Sequence, residues 1–171
     1  MCDSEFNQLQ NTEQMMRIAL FQPEIAGNVG AILRLTACFG VPCDIIEPCG
    51  FPFSDKSLKR AAMDYASAED IHRHSDWESF RAPLQSTGQR IVLLSSSASI
   101  PLPDVTFRAD DVLLLGSESS GVPQNIHDDA DLRIRIPMRA GFRSLNVSVT
   151  AGIALAEALR QTGQFPVETQ S

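Results

Sequence analysis

Two polar, glycine-containing loops carry the residues of this 171-residue chain that are best suited to bind a ligand. The first loop, residues 116–121, reads GSESSG and follows the apolar run of residues 112–115. The second, residues 137–146, follows the apolar run of residues 132–136 and ends in Ser-Leu-Asn. Glycine lets backbone amides approach a ligand closely, while serine and asparagine side chains add donors and acceptors. Such loops suit an adenosine-type ligand, whose base edge needs hydrogen bonds rather than a strong opposite charge.

The spacing of the glycines excludes two common nucleotide-binding fingerprints. Neither the GNVG of residues 27–30 nor the GSESSG loop forms G-x-G-x-x-G, and the P-loop pattern G-x-x-x-x-G-K-[ST] is absent. A nucleotide-dependent oxidoreductase is therefore disfavoured. No Ser-His-Asp set is evident either, because the three histidines lie in polar connecting stretches where surface exposure is expected, namely His72, His74 and His127.

The charge of the chain is acidic overall, with a net value of −7, which argues against a strong nucleic-acid binder. The basic residues are nevertheless clustered. Both lysines, Lys56 and Lys59, stand beside Arg60 on one face of a predicted helix, which is either a solvated face or a binding face. Further arginines lie within or after the second apolar run, at positions 133, 135, 139 and 143.

The four cysteines form no C-x-x-C pair and have no histidine partners at zinc spacing, so no metal site is expected. Free thiols in a reducing cytosol are predicted, with Cys38 and Cys43 as small core residues. No apolar run approaches the ~18 residues of a membrane helix, and the first residues lack the features of a secretory signal. Residues 1–15 are read as a disordered polar extension, 16–166 as a single domain and 167–171 as a tail.

The order of apolar runs and amphipathic stretches predicts an α/β fold with a parallel sheet. Strands are predicted at residues 17–21, 44–46, 90–94, 112–115 and 132–136. Helices are predicted at residues 27–39, 55–63, 76–84 (interrupted by Pro83), 122–128 and 145–162. The serines of residues 95–97 form either a flexible linker or, because a strand directly precedes them, a third loop at the ligand-binding edge of the sheet.

The last predicted helix, residues 145–162, is apolar on nearly all sides. Such a helix must be covered on most of its surface, and one domain of this size offers limited cover. The pattern therefore predicts a homodimer packed through this helix about a two-fold axis, with a central core helix as the alternative.

Three segments resemble the ordered motifs of SPOUT-class RNA 2′-O-ribose methyltransferases. Residues 28–34 match the first motif, N-x-G-x-x-x-R, and residues 115–121 match the second. The third is matched by Ile-Pro-Met at residues 136–138, followed by SLNVS at residues 144–148. The segments PEIAGN, IIEPCGF and DKSLKRAAMDY resemble the small, extension-free branch, which methylates the wobble nucleotide of certain tRNAs. The resemblance covers almost the whole chain.

The resemblance implies a SPOUT fold, in which a parallel sheet is flanked by helices and the C-terminal part forms a deep trefoil knot. It implies S-adenosyl-L-methionine as the cofactor and a homodimer that pairs the first and last helices. It also implies that the cofactor is bound by residues of the three loops, namely Leu94, Ser95, Gly116, Glu118, Gly121, Ile136, Met138, Ser144 and Leu145.

The same resemblance implies catalytic roles for Arg34, Asn28, Glu118, Ser144 and Asn146. A guanidinium is practically always protonated, so clamping the 2′-oxygen and an RNA phosphate suits Arg34 better than proton abstraction. Five other basic residues are expected to contact phosphates of the tRNA anticodon stem-loop, namely Lys56, Lys59, Arg60, Arg139 and Arg143. Two alternatives stay open: methylation of another tRNA or rRNA site, and a knotted RNA-binding dimer without catalysis.

Overall fold

The computed structural model describes residues 15–52 and 70–167, which form one layered α/β body. Within these residues seven parallel strands make a single sheet in the order β3-β2-β1-β6-β4-β7-β5. The strands are β1 Arg17–Phe21, β2 Cys43–Ile46, β3 Ile71–His74, β4 Ile91–Leu94, β5 Ile100–Pro101, β6 Val112–Leu115 and β7 Leu132–Arg135. The helices are α1 Ala26–Phe39, α2 Trp77–Thr87, α3 Gln124–Asp129 and α4 Val147–Thr162, and a 3₁₀ turn covers Leu102–Asp104.

Helices cover both faces of the sheet, and alternate residues of each strand face one layer or the other. In β1, Ile18 and Leu20 pack towards α1 and α4, whereas Ala19 and Phe21 pack towards α2 and α3. Central strands are therefore buried on both faces and read as continuous apolar runs, as expected for a parallel sheet. All four residues of β6 are at most 2% exposed.

The sequence missed the two edge strands, β3 and β5. The segment Ile71–His74 reads IHRH and is only partly buried, so it carries no apolar run. The prediction that all three histidines are surface residues is wrong for His74, whose side chain is 19% exposed and lies 2.7 Å from Asp44 Oδ1. The carboxylate of Asp44, 1% exposed, requires partners in the protein, and His74 and Arg17 supply them.

Two further predictions are wrong for identifiable reasons. Pro83 does not interrupt α2, which continues to Thr87, because the helix is held by a capping box at Asp76 and by three buried apolar side chains. Cys38 is exposed rather than in the core. It lies on the outer face of α1 that Gly27, Ala31 and Arg34 share, at spacings of three and four residues.

Residues 95–99 link β4 to β5 by crossing β7, because β7 pairs with β4 on one side and β5 on the other. The crossing is held by backbone and side-chain hydrogen bonds. The Ser95 amide donates to the Ile134 carbonyl at 2.9 Å, and Arg135 donates to the Ala98 carbonyl at 2.9 Å and to the Ser99 carbonyl. This arrangement fixes the 95–99 loop beside the carboxyl end of β7, next to the chain that leads to α4.

Candidate active site

A cavity of about 680 Å³ opens at the carboxyl edge of the central strands. Its volume lies within the range of roughly 300–1,000 Å³ that is usual for small-molecule sites. Three loops line it, those that follow β4, β6 and β7, together with the first turns of α1 and α4. This is the edge at which open α/β sheets bind their ligands, so the serines of residues 95–97 form a loop of the cavity and not a linker.

Every residue predicted to bind the cofactor lines this cavity: Leu94, Ser95, Gly116, Glu118, Gly121, Ile136, Met138, Ser144 and Leu145. Five of the predicted catalytic or substrate-binding residues line it, namely Asn28, Glu118, Arg143, Ser144 and Asn146. The wall also contains Ile25, Val122, His127 and Thr150, which the sequence analysis did not assign to the site. These positions have no distinctive residue type, and only the topology brings them to the site.

The GSESSG loop is a tight turn that only glycine permits at its first position. The Ser117 amide donates to the Gly121 carbonyl, and the Gly121 amide donates to the Ser117 carbonyl, both at 2.9 Å. A Cβ atom on Gly116 would lie 2.5 Å from the Gly121 carbonyl carbon, well inside contact distance. Gly121 has a positive φ of 69°, which is strained for other residues. The loop therefore presents backbone to the cavity.

A chain of hydrogen bonds joins the three motifs at the mouth of the cavity. The carboxylate of Glu118 accepts from Asn28 Nδ2 at 2.9 Å and from the Glu24 amide at 2.8 Å. Asn28 Oδ1 in turn accepts from Asn146 Nδ2 at 2.9 Å. Because an ionised carboxylate only accepts, Glu118 dictates which way both asparagine amides face. Asn146 also caps α4, since its Oδ1 accepts from the Ser148 amide at 2.8 Å.

Glu24 is a functional candidate that the sequence analysis did not identify. Its carboxylate accepts from the Ser119 amide at 2.8 Å and from the Ser119 hydroxyl at 2.7 Å. These two donors hold the pKa of Glu24 below its ordinary value of 4.5, the hydroxyl having the larger effect. Glu24 of the β1–α1 loop thus accepts hydrogen bonds from Ser119 of the GSESSG loop, and Glu118 of the GSESSG loop accepts one from the Glu24 amide. These reciprocal bonds hold the two loops together.

Arg34 is not part of the cavity wall that this chain provides. It is exposed on the outer face of α1, six residues after Asn28. At 3.6 residues per turn that separation rotates the two side chains about 120° apart around the helix. Arg139 is exposed and also lies outside the wall. Lys56, Lys59 and Arg60 lie outside the described residues.

The exposed face formed by α1 and α4 is unusually apolar. Ile25, at the start of α1, is 51% exposed, and Val149 and Ile153 of α4 are 48% and 39% exposed. The two helices pack closely at Gly152, where an added Cβ would lie 4.0 Å from Leu35 Cδ2. The outer face of α1 adds only small side chains and Arg34. Isolated apolar surface residues are common, but exposed apolar side chains on two helices in contact, here called the apolar stripe, favour a surface that binds another molecule.

The described residues contain neither a metal cluster nor a membrane helix. Across residues 15–52 and 70–167, no three His, Cys, Asp or Glu side chains are grouped to hold a metal ion. The helices of the same residues are too short or too polar to cross a bilayer.

Comparison with known proteins identifies the family. The SpoU rRNA Methylase family matches residues 15–156. A tRNA (cytidine(34)-2′-O)-methyltransferase of Beijerinckia indica subsp. indica is 53% identical over 146 residues, which cover 85% of this chain and 91% of the relative.

Two solved structures resemble this one. The first, described as "Structural insights into the 2-OH methylation of C/U34 on tRNA", superposes with a TM-score of 0.80 at 37% identity and covers 87% of this chain and 97% of its own. The second, an AdoMet-bound rRNA methyltransferase from Sinorhizobium meliloti, has a TM-score of 0.77 at 29% identity. The match covers 86% of this chain and 57% of the rRNA methyltransferase. Together with the cavity and its three motifs, these matches show that the chain belongs to the SpoU methylase family.

Proposed function

We propose that this protein transfers a methyl group from S-adenosylmethionine to the ribose 2′-oxygen of nucleotide 34, the wobble position, in tRNA. The observation that carries the proposal is the hydrogen-bonded chain Glu118–Asn28–Asn146 at the mouth of the cavity, which joins all three motifs. The relatives named for this reaction match more than four-fifths of the chain, which supports the same activity here.

The cavity fits a methyl-donor nucleoside. Its loops present backbone groups and small polar side chains. Because Gly116 has no side chain, its backbone can approach that of Gly121 and close the GSESSG turn. Leu94, Ile136 and Leu145 supply apolar contacts for an adenine ring, whose edge then meets backbone donors and acceptors. When bound, the cofactor supplies an activated methyl group on a positively charged sulfur. The protein's task is then to align the acceptor oxygen and to balance its charge.

Arginines at the rim are proposed to hold the RNA. Arg143 lines the cavity and Arg139 stands exposed beside it, so both can meet phosphates next to the target ribose. A guanidinium has donors but no acceptor, so an arginine stabilises negative charge on the 2′-oxygen rather than removing its proton. We infer that an RNA phosphate held by arginine accepts that proton.

The position of Arg34 makes a dimer part of the proposal. Arg34 is exposed on α1 and does not line its own chain's cavity. The same helix packs against α4, and the apolar stripe of Ile25, Val149 and Ile153 is exposed on these two elements. A two-fold dimer that buries this stripe places Arg34 at the interface, where it can approach the cavity of the other protomer. On this proposal, each active site is completed by Arg34 of the partner subunit.

We also propose that the C-terminal part is knotted. The crossing of β7 by residues 95–99 supports this, because the chain continues from β7 past that loop to α4. An experimental structure in which residues 136–146 run outside the 95–99 loop would contradict the knot.

The proposed activity is tested with purified protein, S-adenosylmethionine and unmodified tRNA, followed by mass spectrometry of RNase fragments. We expect one 2′-O-methyl group, at nucleotide 34. Arg34→Ala is expected to lose activity by at least about 100-fold while keeping its affinity for S-adenosylhomocysteine, since a positioned charge at the developing anion is typically worth that much. Arg108→Ala is the matched control, because Arg108 is exposed near the opposite end of the central strands.

Three results would contradict parts of the proposal. Methylation at another nucleotide would assign a different RNA site. Tight binding of S-adenosylhomocysteine without methylation of any RNA would favour a binding protein. Full activity of Arg34→Ala would remove Arg34 from the reaction while leaving the cofactor site intact.

A further inference from the structure

The loop between β7 and α4 carries an aromatic side chain at its tip. The Phe142 amide approaches the Arg139 carbonyl at 3.5 Å, and Gly141 between them has a positive φ of 93°. A glycine in this conformation at the third position is typical of a tight turn. The turn reverses the chain and leaves Phe142 between Ala140–Gly141 on one side and the cavity residue Arg143 on the other.

Phe142 is 72% exposed, more than any other aromatic residue among those the structure describes. The next most exposed, Phe165, is 44% exposed and packs edge-on against Phe39, with ring centroids 5.6 Å apart. A phenylalanine side chain that remains in water at the rim of a ligand cavity has no packing role in the monomer. Its exposure therefore points to a partner that covers it.

The charges around Phe142 indicate the chemistry of that partner. Arg139 and Arg143 flank it, and residues 137–146 contain no acidic side chain, although the whole chain has a net charge of −7. A positively charged loop with one exposed aromatic ring suits a polyanion that also presents flat apolar faces. Unpaired nucleotides have both features, and proteins bind them by stacking bases on aromatic side chains and holding phosphates with arginine.

We propose that Phe142 stacks on an unpaired anticodon-loop base adjacent to nucleotide 34, an inference that rests on the proposed function. To reach the cavity, the target nucleotide must leave the stack of bases in the loop, which exposes one face of its neighbour. Phe142 is adjacent in sequence to Arg143, which lines that cavity, so its ring is placed to cover the exposed base. Phe142 thereby positions the substrate and does not take part in methyl transfer itself.

A second copy of this chain fits the Phe142 tip less well. A two-fold contact through the tip would bring the same surface of both copies together, and with it two Arg139 and two Arg143 side chains of like charge. The apolar stripe of Ile25, Val149 and Ile153 is a separate surface that lacks this repulsion.

Affinity for tRNA tests the proposal most directly. Binding of an unmodified tRNA transcript with cytidine at position 34 is measured at several salt concentrations, in the presence of S-adenosylhomocysteine. Phe142→Ala is expected to weaken binding roughly 5- to 150-fold, the equivalent of losing one stacked base, and Phe142→Trp is expected to retain it. The salt dependence should be unchanged in Phe142→Ala, whereas Arg143→Ala should lower its slope by about one phosphate contact.

Two controls isolate the stacking contact. Phe165→Ala removes the other exposed phenylalanine of residues 15–52 and 70–167 and should bind tRNA like the wild type. Replacing nucleotide 33 or 35 with an abasic residue should abolish the difference between wild type and Phe142→Ala at whichever position is stacked, because the ring then has no base to cover. In Phe142→Trp the fluorescence of the new indole should be quenched when tRNA binds, whereas the fluorescence of the buried Trp77 supplies a constant background.

Several results would overturn the inference. Wild-type affinity of Phe142→Ala for tRNA would do so directly. A parallel loss of S-adenosylhomocysteine binding would assign Phe142 to the cofactor cavity, and dissociation of a dimer would assign it to the interface between copies. Failure of the proposed function is distinguishable from these, because the wild-type protein itself would then leave nucleotide 34 unmethylated.

Discussion

Gly116→Ala probes the cavity through a single methyl group. The added Cβ would stand 2.5 Å from the carbonyl carbon of Gly121, 2.7 Å from its Cα and 2.8 Å from its oxygen. Ordinary carbon–carbon contacts begin near 3.5 Å, so the two sides of the GSESSG turn must separate by about 1 Å. All three atoms belong to the backbone, and no side-chain rotation can relieve the overlap.

The size of the effect follows from that displacement. A shift of about 1 Å in the groups that position reactants typically costs about 100-fold in rate, so we expect methylation to fall by that factor. The same overlap should destabilise the fold by only about 1–3 kcal/mol, as overpacking usually does. For a chain of this length that corresponds to a fall of roughly 2–12 °C in melting temperature, and the protein should stay folded at 25 °C.

A tRNA methylation assay measures the loss of rate, calorimetry with S-adenosylhomocysteine shows whether the cofactor cavity has changed, and thermal melting measures the loss of stability. The matched control is Gly152→Ala in the middle of α4, where the nearest atom to the new Cβ is Leu35 Cδ2 at 4.0 Å. Alanine is the better helix former by about 1 kcal/mol, so this control should keep cofactor affinity and melt no lower than the wild type. Wild-type affinity in Gly116→Ala would refute the argument that this turn shapes the cavity.

Three other perturbations test the contacts around the site. Glu118→Gln replaces one accepting oxygen with an NH₂ group, which must then face another donor, either Asn28 Nδ2 or the Glu24 amide. The free energy of unfolding should fall by about 1.5–3 kcal/mol in thermal or urea unfolding. An unchanged unfolding midpoint would contradict this. Because the pKa of Glu24 is lowered in the fold, its bond to Ser119 stabilises the protein above its ordinary pKa of 4.5 and is lost as pH falls through the lowered value. The melting-temperature difference between wild type and Glu24→Gln should therefore be constant from neutral pH down to about pH 5 and shrink below pH 4.5; a difference that grows on acidification would be inconsistent with this sign. Ile153→Glu should give a monomer in sedimentation with unchanged cofactor affinity and lost methylation, and a dimer that persists would exclude the α1–α4 face as the interface.

Local patterns in the sequence predicted the strands near the site well. Strands β1 and β6 are buried on both faces and appear as short apolar runs, whereas β7 reads LRIR and buries only Ile134 fully. The predicted bounds of all three strands differ from the observed ones by at most one residue. The edge strands escaped detection because they have no such burial. The segment Ile71–His74 is partly exposed, and Ile100–Pro101 is only two residues long.

The site was predictable in composition but not in geometry. The resemblance to known motifs identified residues that prove to line one cavity, because motif residues keep their places in the loops. It could not identify Glu24, because the hydrogen-bond partner of its carboxylate is Ser119, which lies 95 residues later in the sequence. Nor could it show that Arg34 lies outside the cavity wall of its own chain, since that depends on which side of α1 packs on the sheet.

The link between Asn28 and Asn146 joins side chains that are 118 residues apart in the sequence. During synthesis, the first strand and helix are complete long before the last motif leaves the ribosome. A chain that stops short of residue 146 lacks both the third wall of the cavity and the amide that orients Asn28. If the proposed function holds, products that stop before this point should not bind the methyl donor, and affinity for it should report that the chain has folded through its third motif.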